Sequence, residues 1–426
     1  MNFSRFITPK SAARLESPIR KTTAIALQNP DILSLASGMP NAKLFPFKSF
    51  DIVTQSGEKI ALNGKDMGSA LQYSASQGTQ DMINWIRKLH KTFHDPPLMV
   101  RTIEQGGFNT CVTPGSQDGL IKVFEMLVQP GDNVVLDDPC YAGTLAMLRP
   151  MGCKLLPIET DKHGMISESL LDLMQRWTPD DAKDPNSKIP KVLYTIPNGG
   201  NPTGATATLK RKQEIYKIAQ MYDMVIIEDD PYFFLTYEKL TPSYQSLDVD
   251  GRVIRSDSMS KVMSSGLRVG WISGANSFIQ RLILHQQVST LHTSTLIQMM
   301  LSKLLDQWGI EGFRNHVEQI QTFYKQQRDI CIQYADKWLK GLAEWNEPEG
   351  GMFLWMKLIG IEDTTKLIQE KAMEKKVLLL PGSVFNVEEG KASSYCRVSF
   401  SFASDEKMDE AFRRLAALLE EERAKN

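Results

Sequence analysis

The sequence predicts an α/β protein, with a large domain on a mainly parallel sheet and a smaller α+β domain. Three observations carry that expectation. Short, wholly apolar runs alternate with amphipathic segments of helical length, the pattern of strands covered on both faces. A long helical stretch then leads away from the last of these runs. The C-terminal part mixes three more strand-like runs with helices.

Residues 1–47 carry Pro9, Pro18, Pro30, Pro40 and Pro46, and read as an irregular arm. A strand near Thr110–Thr113 leads through Pro114-Gly115-Ser116-Gln117 into a helix from about Gln117 to Val128. Five runs read as buried strands: Asn133–Asp137, Lys191–Ile196, Met224–Glu228, Arg252–Ser256 and Val269–Ser273. Leu209–Met221 is an amphipathic helix between two of them, and the polar Pro179–Pro190 stretch reads as a surface loop. Helix is expected from about Ser277 to Leu339, with Gly309 and Gly312 as breakers. Met352–Lys357, Val377–Leu380 and Tyr395–Phe400 are the later strand candidates, and Glu406–Ala424 closes the chain as a helix. The expected division is an arm at 1–47 that joins the small domain, a large domain at 48–305 and a small domain at 306–426.

Composition removes several function classes. Lys and Arg total 49 against 50 acids, a net charge of −1, which argues against a general nucleic-acid binder. Five scattered cysteines form no CxxC pair, so a disulfide framework is not expected and a reducing compartment is. The six histidines form no HExxH, and no metal site is expected. No apolar run approaches the ~18 residues of a membrane span, and no secretory core opens the chain. Arg5, Lys10, Arg14, Arg20 and Lys21 stand against Glu16 alone near the start. That is the pattern of a mitochondrial presequence or of a plain basic arm, so the mitochondrial matrix and the cytoplasm both stay open.

Ligands of parallel α/β folds gather at the carboxyl ends of strands, and chemistry-bearing residues follow each strand here. Gly115 and Ser116 precede a helix whose N-terminal amides suit a phosphate or simply form a capped start. Asn198 and Asn201 lie in a polar turn, Pro197–Gly204. Asp229 ends an apolar run and needs a partner, and Tyr232 follows it. Lys261 stands among Ser258, Ser260 and Arg268. Two serines and an arginine suit a phosphate, and a lysine suits a Schiff base with an aldehyde cofactor. The set fits pyridoxal 5′-phosphate.

Ser258-Met-Ser-Lys261 with Gly266-x-Arg268-x-Gly270, Pro197-Asn-x-x-Asn201-Pro-Thr-Gly204 and Asp229-x-x-Tyr232 together resemble the class-I aminotransferases of PLP fold type I. The resemblance covers nearly the whole chain and implies a seven-stranded, mainly parallel sheet. The N-terminal MNFSRFIT and SPIR20, LQYSASQG (71–78), TPGSQDGL (113–120), LILHQQVSTLH (282–292) and GGMFLWMK (350–357) are similar to the mitochondrial kynurenine/2-aminoadipate branch.

That resemblance implies roles. Lys261 would hold the cofactor covalently and then act as the base. Asp229 would pair with the ring nitrogen, Tyr232 and Asn201 with the 3′-oxygen, and Tyr141 would lie over the ring. Ser116, Gln117, Ser258, Ser260 and Arg268 would hold the phosphate. Tyr73 would reach the phosphate of a neighbouring subunit, which implies a homodimer with shared sites. Arg397 would bind the substrate carboxylate bidentately. Arg20 and Gly38 would line the side-chain end of the substrate, where Tyr73, Tyr141 and Asn201 would also contribute. The reaction implied is transfer of an amino group from 2-aminoadipate, kynurenine or another bulky or acidic amino acid to a 2-oxo acid such as 2-oxoglutarate. It would cycle through pyridoxamine phosphate with ping-pong kinetics. Cys140 and the Gly199-Gly200 pair depart slightly from the family pattern. The alternatives are another fold-type I enzyme, such as an aromatic aminotransferase or a lyase, and a PLP-sensing regulator domain.

Overall fold

The computed structural model describes residues 1–29, 31–33, 35–36 and 38–425; Pro30, read above as a breaker, lies outside the described residues. These fall into two compact units, one of Met1–Val128 with Gln245–Asn315, the other of Gln129–Tyr244 with His316–Asn426.

The first unit is built on three strands, Phe108–Thr113, Gly270–Ala275 and Val253–Ser258, all buried along their length. Gly270–Ala275 lies between the other two and runs antiparallel to both, with Gly270 opposite Thr113 and Ser258. Helices Gln80–Phe93, Ser116–Leu127 and Asn276–Val288 pack on these strands. A separate hairpin pairs Ser49–Val53 with Lys59–Asn63.

The arm is more regular than its prolines suggested. Pro9 and Pro18 each open a short helix, Pro9–Ala12 and Pro18–Gln28. Proline is harmless in a first turn, where its missing N–H has no helical partner. Thr8 and Ser17 cap the two helices by accepting from the amides of Ser11 and Arg20.

The second unit carries the parallel run. Val225–Asp229, Val192–Thr195, Asn133–Asp138 and Lys154–Asp161 lie side by side in that order. Helix Leu209–Met221 lies where the amphipathic pattern put it. These four and the three buried strands of the first unit make seven. An eighth, Gly164–Met165, adds two residues antiparallel to Lys154–Asp161. The Pro179–Pro190 loop contains a short 3-10 turn, Pro179–Lys183.

A four-stranded sheet also belongs to the second unit, in the order Ala343–Trp345, Phe353–Leu358, Tyr395–Ser399, Leu380–Pro381. The first of these was not expected, and the Val377–Leu380 run pairs only through Leu380 and Pro381. Its apolar core joins Leu354, Met356 and Val398 to Leu339, Phe412 and Leu415 of the flanking helices. The long helical stretch breaks twice, once after Asn276–Val288 and again within Thr295–Leu339, where the backbone at Gly309 is non-helical. Among the described residues no helix is long and apolar enough to cross a membrane.

The strand that leads to Lys261 is anchored by a buried ion pair. Arg255 Nε lies 3.1 and 3.0 Å from the two Asp257 oxygens, and its Nη2 lies 2.8 Å from Oδ1. His90 beside them is neutral: burial, then Arg255, push its pKa down to about 3. Its Nε2 accepts from the Trp271 indole at 2.9 Å, so its Nδ1–H faces Gln245 Oε1. Arg255→Met removes the guanidinium partner of a buried carboxylate and should cost about 3–5 kcal/mol of stability. Urea unfolding measures this, and an unchanged midpoint would contradict it.

Candidate active site

The first unit assembles an anion cradle from the residues singled out around Lys261 and Ser116. Gly115 adopts φ 86°, ψ 165°, which turns the chain from the Phe108–Thr113 strand into the Ser116–Leu127 helix. Gly115, not Ser116, is the N-cap, and no side chain caps this helix. Its first-turn N–H groups therefore remain for a ligand, and the helix dipole favours an anion there.

Two glycines bring the cradle close. A Cβ on Gly115 would lie 2.1 Å from Arg268 Nη2, and one on Gly270 would lie 2.7 Å from the Ser116 amide nitrogen. Arg268, itself left-handed at φ 52°, donates to Ser260 Oγ at 3.2 Å, Ser265 O at 3.0 Å and Pro114 O at 3.4 Å. Ser258 Oγ accepts from the Ser260 amide at 3.1 Å. Met259 and Val262, both buried, pin the turn between them, and Lys261 is held half-buried within it. Gln117 is exposed on the first turn of the helix.

The same unit brings Arg20 and Tyr73 together. Arg20 donates to Ser74 O and, at 3.4 Å, to Ser76 Oγ. Burial lowers its pKa, and the charge interaction with Tyr73 opposes that. Tyr73 is 46% exposed and meets the His292 ring edge-on at 6.0 Å. Gly38 is exposed, and a Cβ there would meet nothing within 4 Å.

The second unit assembles Asp229, Tyr232, Asn201, Tyr141 and Arg397. Asp229 ends its strand at 3% exposure, and its Oδ2 accepts from Tyr194 Oη at 2.9 Å. Tyr232 is buried against Phe353 and hydrogen-bonds Asn201; burial, then Asp229, raise its pKa. Tyr141 folds over the start of its own helix: a Cβ on Gly143 would lie 2.5 Å from its ring. Its pKa is raised by burial and then by Asp229.

Arg397 Nη1 donates to Asn201 Oδ1 at 2.8 Å. Its guanidinium lies over Phe353 at 4.2 Å and near Phe385 at 5.2 Å. Aromatic faces hold the cation without consuming its donors. Burial lowers its pKa, and its buried Nε has no hydrogen-bond partner among the described residues.

The asparagine turn is tighter than its two glycines suggested. Gly199 has φ 52°, and a Cβ there would lie 2.4 Å from Gly351 N. Asn198 is anchored below it, donating to Asp230 at 2.7 Å and accepting from the buried Lys212 at 3.2 Å.

Sequence reasoning missed Tyr194, Phe353, Phe385, Gly143 and the buried Asp137. Burial pushes the pKa of Asp137 up to about 7, with Thr195 and the Ile196 amide opposing. The available signal was Tyr194 itself, because a tyrosine in a buried strand needs a partner for its O–H.

With this geometry in place, comparison with known proteins is decisive. Residues 40–415 match the family described as aminotransferase class I and II. The chain belongs to the class I and II aminotransferases. A curated relative from Rattus norvegicus, named kynurenine/alpha-aminoadipate aminotransferase, mitochondrial, is 51% identical over 423 residues, covering 99% of this chain and 100% of its own. Aminotransferase Aro8 of Candida albicans superposes with a TM-score of 0.88 at 26% identity, covering 99% of this chain and 98% of that one. A kynurenine aminotransferase from Pyrococcus horikoshii, solved in complex with PMP, KYN as substrates and KYA as products, gives 0.76 at 28% identity, with 99% and 98% covered.

The aminotransferase has the α/β fold of PLP fold type I, and its cofactor is pyridoxal 5′-phosphate. The residues present fit that group. The glycine-lined cradle of Arg268, Ser260 and the Ser116 helix suits a phosphate, and Lys261 is on the adjoining turn. Gly115→Ala would displace the Arg268 guanidinium and force a residue with a Cβ into φ 86°. It should lower cofactor affinity at least about tenfold, the loss of one charge-assisted hydrogen bond. Visible absorbance retained after dialysis measures this, and retention equal to wild type would contradict it.

Proposed function

We propose that this aminotransferase moves the amino group of 2-aminoadipate, kynurenine and similar bulky or acidic L-amino acids to a 2-oxo acid such as 2-oxoglutarate. The observation that carries this reading is Arg397, a buried guanidinium held by Asn201 and two phenyl rings, with Nε lacking a partner among the described residues. An arginine so placed suits a carboxylate, which every amino-acid and 2-oxo-acid substrate carries. The names of the curated relatives support the substrate class.

When bound, pyridoxal 5′-phosphate supplies an aldehyde and an electron-accepting ring. The residues of the chain supply the rest. Ser116, Gln117, Ser258, Ser260 and Arg268 hold the phosphate. Asp229 would hold the proton on the ring nitrogen, Tyr232 and Asn201 would bind the 3′-oxygen, and Tyr141 would cover the ring. Arg397 fixes the α-carboxylate and so orients the Cα–H bond. Lys261 Nζ would carry the cofactor and, when free, would take the α-proton as general base. Two substrates handled in turn by one site give ping-pong kinetics.

Lys261→Ala should lose the visible absorbance of the Schiff base and all turnover; wild-type-like turnover would end this assignment. Measuring 2-oxoglutarate-dependent amino transfer against release of ammonia or carbon dioxide separates this reading from a lyase or a decarboxylase.

Arg20 and Gly38 are assigned to the side-chain end of the substrate. Arg20→Ala should raise KM for 2-aminoadipate at least about tenfold, through loss of a charge-assisted contact. KM for leucine should change little. Equal effects on the two donors would count against the role.

The working unit is proposed to be a homodimer, with Tyr73 serving the neighbouring site. Leu15, Ile19, Leu33, Leu35 and Leu44 of the arm are all at least 69% exposed in the single chain, and apolar surface of that extent suits burial against a second copy. The cofactor-binding domain is assigned to 48–305 and the small domain to 306–426 with the arm. The basic arm and the mitochondrial relatives favour the mitochondrial matrix over the cytoplasm.

A further inference from the structure

We infer that Tyr194 is a positioning residue for the reaction: its phenol O–H fixes the Asp229 carboxylate and holds it ionised for the cofactor's ring nitrogen. This rests on the reading of Asp229 given above and extends it to a residue that touches neither cofactor nor substrate in that reading.

The geometry has three parts. Tyr194 lies in the Val192–Thr195 strand, whose four residues are all buried, and Asp229 ends the neighbouring parallel strand. Tyr194 Oη donates to Asp229 Oδ2 at 2.9 Å, so the carboxylate has a donor in a site that excludes water. Tyr194 itself is fully buried, so no bulk solvent competes for that bond.

A donor on a carboxylate favours its charged form, and burial disfavours it. Asp229 has to be charged to pair with a protonated ring nitrogen. The phenol supplies that bias without adding a second charge. A lysine or arginine in its place would neutralise the carboxylate and compete for it. The phenol also stays a donor: burial, then the charge of Asp229, hold its pKa well above the ordinary tyrosine value. Asp229, Cys140 and Thr144 are among the groups facing it, and Tyr141 and Tyr232 are near Asp229 from the chain segments beyond the strand ends. The direction of the bond is therefore set by chemistry, since ionised Asp229 only accepts.

Tyr194→Phe keeps the ring in the sheet and deletes the donor. The purified holoenzyme should show three changes. Cofactor affinity, read by titrating the apoenzyme with pyridoxal 5′-phosphate and following absorbance, should weaken about tenfold, the loss of a hydrogen bond to a charged group. The pH midpoint of the visible band should move, because the ring nitrogen's partner has changed. Turnover should fall mainly in kcat, with KM for the amino donor kept. In an Asp229→Asn background the same substitution should add little to the loss of cofactor affinity, because the two residues act as a unit.

Replacing Tyr194 with 3-fluorotyrosine keeps the ring and strengthens the donor. It should give wild-type or tighter cofactor binding, which guards against a Phe variant that folds poorly. Cofactor affinity and band midpoint unchanged in Tyr194→Phe, additive losses with Asp229→Asn, or a fluorotyrosine protein as weak as the Phe variant would each overturn the inference. Wild-type protein that binds no pyridoxal 5′-phosphate would instead overturn the reading on which it rests.

Discussion

Burying a charge is the constraint on which this structure depends. Asp229 ends a strand whose residues are all buried, and a carboxylate there is tolerated only with a donor beside it. The neighbouring strand supplies one through Tyr194. The same demand recurs at Arg397, where Asn201 and two phenyl rings replace water, and at Arg255, where Asp257 does. Each charge is fixed in direction by the groups that make its burial possible. Charges held in this way need not reorganise when a ligand meets them.

Close backbone approach is the second device. Gly115 and Gly270 leave no room for a Cβ beside Arg268 and the Ser116 amide, and Gly199 leaves none beside Gly351. One pair of glycines shapes an anion cradle, and the other seats the asparagine turn on the backbone that precedes Phe353. The chain thus uses its smallest residues where the proposed phosphate and carboxylate contacts require close approach.

Much of this was legible in the sequence. The buried runs at 133, 191, 224, 252 and 269 became strands within one or two residues, because wholly apolar runs admit few other fates. The residues flanking them, Lys261, Arg268, Asp229 and Asn201, were legible because titratable and polar groups at strand ends have little structural reason to be there. Strand direction was not legible. Gly270–Ala275 runs antiparallel to its neighbours, yet a strand buried on both faces shows the same apolar run either way. The Ala343–Trp345 strand is too short to give a pattern, and Lys154–Asp161 alternates exposed and buried residues around Pro157. The supporting residues were hidden for a related reason. Phe353 and Phe385 read as core until Arg397 is seen lying on them, and the Asp229 partner of Tyr194 is 35 residues away in the chain.

The central claim is that these charges are arranged for amino transfer. A half-reaction tests it most directly. Holoenzyme is mixed with 2-aminoadipate in the absence of any 2-oxo acid, and the visible band and the released product are followed together. The account predicts that the band bleaches once, that one 2-oxo acid is released per bound cofactor with no ammonia or carbon dioxide, and that 2-oxoglutarate restores the band. Continuous release of ammonia or carbon dioxide without an acceptor, or a band that 2-oxoglutarate leaves bleached, would contradict it.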